Sequence, residues 1–205
     1  MTRTPAGARG APLALRAVEG LATVLALVSG IAVAALALLI VYDIVARGLF
    51  RHSVQGADEL GGYTLALVGS LGLSHTLLRR GHPRIDVAFG LFPARMRAAL
   101  HVLALAAMAG FALFMTVHAL AELGQAVRFN AVTNTPLQTP LWAPQGLWAF
   151  GTGFFALTAA VMTAHAALLL FSDPARATAL YGPATVEEEV AEYTHDASAG
   201  AAREG

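Results

Sequence analysis

The sequence predicts an all-α integral membrane protein: four transmembrane helices with an amphipathic interfacial segment between the second and the third. Three observations predict it. Of the 205 residues, 57% are hydrophobic and 13% charged, against roughly 45–50% apolar and about 25% charged in soluble domains. Charges are missing from four long intervals, and a helix needs about 20 apolar residues to cross roughly 30 Å of hydrocarbon. Strands of the barrel type, alternating apolar and polar, are absent from the pattern, and backbone groups in lipid must pair within a helix or a closed barrel.

Residues 1–17 are rich in Ala, Gly, Pro and Arg and read as a tail that cannot bury a core. The first span, residues 18–42, holds 23 uncharged residues between Glu19 and Asp43. That exceeds the about 7–15 residues of a secretory signal core, so it reads as a retained anchor. Residues 43–58 connect to the second span. They mix Ile44, Val45, Leu49 and Phe50 with Arg47, Arg51 and His52, which suits an extension of the first helix with arginines snorkelling into the headgroup zone.

The second span, residues 59–79, has 19 uncharged residues after Glu59. Asp58 and Glu59 open it, where the helix dipole favours negative charge. In residues 80–97, Ile85, Phe89, Phe92 and Met96 recur at steps of four, three and four, flanked by Arg84, Asp86, Arg95 and Arg97. This is the amphipathic segment expected to lie in the interface, broken or kinked at Pro93; an ordinary basic connector is the other reading. The third span, residues 98–121, has 24 uncharged residues. Residues 122–143 form a Pro-rich loop, with Asn130, Thr133, Asn134, Pro136, Gln138 and Pro140. The fourth span is 144–171, and 172–205 form an acidic tail carrying Glu187, Glu188, Glu189, Glu192 and Asp196, with a short helix conceivable over Val186–Tyr193.

Positively charged loops stay in the cytoplasm. With the N-terminus inside, the inner segments hold ten arginines and the outer loops only Arg47, Arg51 and Arg128. Both termini are therefore expected to be cytoplasmic. Trp142 and Trp148 then fall at the outer end of the fourth span, where interfacial aromatics concentrate.

The 13 basic residues, all arginine, balance 13 acids, so no net charge draws the chain to nucleic acid. No cysteine is present, which removes thiol nucleophiles, zinc-thiolate sites and iron–sulfur clusters. No mutually supporting set of groups reads as catalytic, and no cofactor or metal is expected in the chain. No Asp, Glu, Lys or Arg lies mid-span, whereas a chain that carried an ion by itself would place carboxylates at depth. An accessory role follows. Ala22, Ala26, Gly30 and Ala34 in the first span, Gly62, Ala66, Ser70 and Ser74 in the second, and Ala156, Ala160 and Ala164 in the fourth recur at four-residue steps. Such ribbons pack helices closely, within the bundle or against another subunit.

The histidines within the spans, His75, His101, His118 and His165, support an alternative, a haem-binding membrane anchor subunit of an electron-transfer complex, because paired histidines on facing helices ligate haem. His101 and His118 stand roughly 100° apart around one helix and do not share a haem. Local hydrogen bonding is the other explanation for all four.

Four stretches resemble the small membrane subunit of tripartite ATP-independent periplasmic (TRAP) transporters, the DctQ-type family. They are Tyr42-Asp43-Ile44-Val45-Ala46-Arg47-Gly48-Leu49-Phe50 at the end of the first span; Asp58-Glu59-Leu60 at the start of the second; Arg79-Arg80-Gly81-His82-Pro83-Arg84-Ile85-Asp86-Val87; and Thr135-Pro136-Leu137-Gln138-Thr139-Pro140-Leu141-Trp142 before the fourth. Gly48 stands where the family more often has an aromatic, and Pro83 and the arginine before Ile85 depart from its turn. The resemblance covers residues 18 to 171. It implies a noncatalytic subunit of the bacterial inner membrane that braces a large permease subunit of the DctM type. The complex would take up an organic acid, delivered by a periplasmic binding protein of the DctP type, with sodium as coupling ion. On that reading Arg47, Glu59, His82, Asp86, Pro136, Pro140 and Trp142 are the candidate partner contacts or interfacial anchors.

Overall fold

A computed structural model of the chain describes residues 13–81 and 92–182 and residue 194. The described chain is helical: α1 (Leu13–Phe50), α2 (Ala57–Leu78), α3 (Ala94–Arg128), α4 (Trp142–Ser172) and α5 (Pro174–Tyr181). Three of these, α1, α3 over Arg95–Arg128, and α4, are long and apolar enough to cross a membrane. The expected second span is the exception. Helix α2 has 22 residues, about 33 Å at 1.5 Å per residue, but Gly61, Gly62, Gly69, Ser70, Gly72, Ser74, His75 and Thr76 dilute its apolar content.

The long helices overrun their uncharged intervals. Residues 13–17 and 43–50 belong to α1, residues 94–97 and 122–128 to α3. Backbone pairing continues to the depth at which charged side chains reach water. Pro93 does not kink an interfacial helix; extended at φ −62° and ψ 153°, it caps the N-terminus of α3 and its carbonyl accepts from Met96 N and Arg97 N at 2.9 and 3.1 Å. Proline suits a helix entrance because its missing N–H is not needed there. Met96 thus belongs to the third helix rather than to a separate stripe. Residues 82–91 of that segment, His82, Ile85, Asp86 and Phe89 included, lie outside the described residues, as does Val186–Tyr193.

A second correction concerns the tail. Instead of running free from residue 172, the chain turns at Asp173 and forms α5. Asp173 closes α4 and caps α5, its carboxylate accepting from Arg176 N at 3.0 Å, and Pro174 takes the first helical position. Ala177 and Tyr181 are buried, so the short helix is held by packing against α3 and α4.

The α3–α4 pair packs most extensively, followed by α1–α2 and then α2–α4, which leaves α1 at the edge of the bundle. The α3–α4 seam is written in sevens: Ala98, Leu105, Ala112, Ala119 and Ala126 are all buried. Seven residues return to one helix face with a drift of about 20°, so a heptad seam faces its partner along its whole length. Steps of four drift by about 40° each. The four-residue ribbons therefore leave their seams: Ala22 is buried but Gly30 and Ala34 are exposed, Ser70 and Ser74 are buried but Gly62 and Ala66 are exposed, and Ala160 and Ala164 are exposed. Where α2 meets α4, Gly151 removes the obstacle: a Cβ there would stand 2.5 Å from Ser70 Oγ. Leu77, Leu105, Ala112, Phe155, Ala159, Met162, Ala166 and Tyr181 form the core, gathered toward the α5 end.

Candidate functional site

Polar side chains collect at the two ends of the bundle. At the end opposite α5, two carboxylates act as joints. Asp43 is 4% exposed in the last quarter of α1. It accepts from Val54 N at 2.7 Å and Ser53 Oγ at 3.0 Å, and pairs with Arg47 one turn on. It thus folds the α1–α2 connector back onto its own helix, while the Arg47 side chain remains 62% exposed. Sequence reasoning singled out Arg47. The buried partner does more of the structural work.

Glu59 lies in the first turn of α2, before the apolar stretch of that helix. Thr133 Oγ1 donates to it at 2.9 Å, and Thr135 and Tyr63 hydroxyls donate as well. Hydrogen bonds from Thr135, then Tyr63, with Thr139 and Thr133, outweigh partial burial and hold the carboxyl at about 2, below its ordinary 4.5. Glu59 therefore fastens the α3–α4 loop to the start of α2. That loop is shaped to reach it. Asn130, at φ 45°, ends α3 in a left-handed turn with Ala131 N bonded to Ala126 O at 3.0 Å. Thr133 N then bonds Thr139 O at 3.0 Å and Leu141 N bonds Ala131 O at 2.9 Å, with Val132 bridged to Pro140. Leu137, at the tip, occupies the space where a Cβ on Gly56 would stand; Gly56, φ 85°, precedes α2.

Glu59, Pro136 and Pro140 are thus brought together in one loop joint. Trp142 opens α4 and is exposed. Arg47 belongs to the separate Asp43 joint, and His82 and Asp86 lie outside the described residues. The threonines at 133 and 135 were missed. Only their place in a Pro-rich loop, facing an acid that opens a helix, could have signalled them.

At the other end, His165 of α4 bonds the Tyr181 hydroxyl of α5, His101 of α3 is buried, and Gly182 lies against its Nε2. His118 Nδ1 meets Phe114 O at 2.9 Å, one turn back on its own helix. Among the described residues, no cluster of three His, Asp or Glu is placed to hold a metal ion. Between α3 and α4, in the half away from α5, an apolar groove of about 480 Å³ opens between Leu120, Phe150 and Leu157 over a floor of Gly146, Ala149 and Gly153.

These joints tie helix ends together, and the first of them falls in the stretches that carry the family resemblance. Residues 36–169 match the family described as "Tripartite ATP-independent periplasmic transporters, DctQ component". The chain belongs to the DctQ family. Comparison with curated proteins and with solved structures returns no match. The DctQ match takes in Asp43, Glu59 and the α3–α4 loop, and stops before Asp173, so α5 lies beyond it. The protein is accordingly a membrane component of a TRAP transporter, its small permease subunit, with three helices of membrane-crossing length and composition.

Proposed function

We propose that this DctQ chain is a static brace for the large, DctM-type permease subunit. That complex takes up an organic acid by sodium coupling after a DctP-type periplasmic binding protein delivers it. The observation that supports this reading is where the two kinds of surface lie. Two of the acids within the matched stretch, Asp43 and Glu59, are committed to internal joints, while the apolar faces of α1 and α3, from Leu27 and Ile31 to Phe111 and Phe114, are exposed. In lipid, such faces meet acyl chains or another helix, and helix association there rests on close packing.

In this proposal α2 is the fourth crossing, since it joins the far end of α1 to a connector on the α5 side. Both termini are cytoplasmic in the inner membrane, by the arginine asymmetry. Sodium binds elsewhere in the complex. The outer joints at Asp43 and Glu59 then shape the face that receives the binding protein.

The test is a pull-down of C-terminally tagged chain from native membranes in mild detergent. Stoichiometric recovery of a large polytopic permease is the expected result. Recovery of a redox partner with a haem absorption band, and no permease, would replace this reading with the electron-transfer anchor.

A further inference from the structure

Helix α3 lies at the other edge of the bundle from α1, packed on α4 and, at one end, on α5. Along it Phe111, Phe114, His118, Glu122, Gln125 and Phe129 recur at steps of three and four, and all six are exposed. At 100° per residue they keep within about 80° of the helix circumference and run for about 27 Å. The buried Ala112, Ala119 and Ala126 lie roughly a quarter turn away.

The stripe starts inside the uncharged interval of α3 and leaves it at Glu122. Among the described residues, neither Glu122 nor Gln125 has a side-chain partner. His118 stands one turn inside Glu122 and is turned further in. Its Nδ1 meets Phe114 O at 2.9 Å, and its ring centroid lies 4.2 Å from that of Phe114. A carbonyl oxygen only accepts, so Nδ1 carries the proton, and Nε2 of the neutral ring is an acceptor without a donor. The ring thus leans away from the headgroups that a snorkelling side chain would reach. An unpaired polar atom is costly in hydrocarbon, and ionisable side chains within membrane segments face protein or a water-filled cavity. The exposed face of α1 differs: Val24, Leu27, Val28, Ile31 and Leu38 are aliphatic and suit acyl chains.

Resting on the reading of this chain as a brace, we infer that the α3 stripe is the seat of a membrane helix of the large permease subunit. That helix offers a hydrogen-bond donor to His118 Nε2 and an arginine or lysine to Glu122, while the phenylalanines on either side pack against it. Complementarity selects this occupant. Acyl chains supply neither group. A second copy of the chain, related by a two-fold axis along the membrane normal, would set Glu122 against Glu122 and one His118 acceptor against another. Hydrogen bonds between helices are what hold polar residues in such seams.

The test uses the assembled complex in native membranes, with the large subunit recovered by the pull-down above carrying a second tag. Photo-crosslinking benzoylphenylalanine replaces Phe111, Phe114 or Gln125 on the stripe, and Leu27 of α1 or Val117 of α3 outside it; both of these are exposed. Adducts with the tagged large subunit are expected from the stripe positions, several-fold above those from Leu27 and Val117. His118→Leu, which removes the acceptor, should lower recovery of the large subunit several-fold without changing the yield of the chain itself, and His118→Gln, whose carbonyl accepts, should restore most of it. Stripe adducts to a second copy or to lipid alone would overturn the assignment, as would large-subunit adducts from Leu27 with none from the stripe. Unchanged recovery with His118→Leu would overturn the His118 contact. In each of these cases recovery of the large subunit with the unmodified chain leaves the brace reading standing, whereas its absence there would overturn both.

Discussion

Glu59 shows how a single side chain reports on the fold. Its carboxyl sits at about 2 in the folded chain and at 4.5 ordinarily. A depressed value of this kind contributes stability that is complete above 4.5 and is lost as pH falls toward 2. Thermal unfolding of the purified subunit should therefore show a falling Tm between about pH 4.5 and pH 2 that is shallower in Glu59→Gln; a parallel fall in the variant would assign it to other groups. Arg47 and Asp43 separate in the same way. Asp43→Ala strands Val54 N and Ser53 Oγ, whereas Arg47→Ala leaves both bonds in place. The yield of folded chain in size-exclusion profiles is expected to drop more for the Asp43 variant, and equal losses would refute that order. The residue types at 47 and 59 were legible in the sequence. The threonines that meet Glu59 were not, because they lie 74 and 76 residues away and no local periodicity links the two.

At the scale of elements, close approach decides what each helix tolerates. Gly151→Ala places a Cβ against Ser70, and the misfit should cost about 1–3 kcal/mol. Ser70→Gly in the same chain removes the obstructing atoms, so the double variant should melt above Gly151→Ala alone. Ala119→Leu, on the buried heptad of α3, should be similarly damaging, whereas Ala107→Leu, on the exposed face, should leave Tm almost unchanged. The sequence showed four-residue ribbons and passed over this heptad, because alanine is common throughout and its burial depends on where α4 lies. Helix α5 had a local signal in Asp173-Pro174, an N-cap followed by proline at the first helical position. The acidic run after it masked that signal.

For the molecule as a whole, the ends of the bundle differ in what they present, and that predicts topology. Cysteine placed at Gln138, exposed at the tip of the α3–α4 loop, should react with an impermeant maleimide in intact spheroplasts. Cysteine placed at Ala179 should react only after permeabilisation; the reverse pattern would invert the proposed orientation.

Composition and the uncharged intervals by themselves determined that the chain is helical and built for a membrane. Those properties depend on how many apolar residues stand in a row, which is local information. The motif order determined the family. Tertiary structure alone decided which small residues form seams, which acids are joints rather than free charges, and that the tail folds back as α5. Each of these depends on what another helix places opposite a residue, and a contact between residues distant in the chain leaves no periodic trace in either.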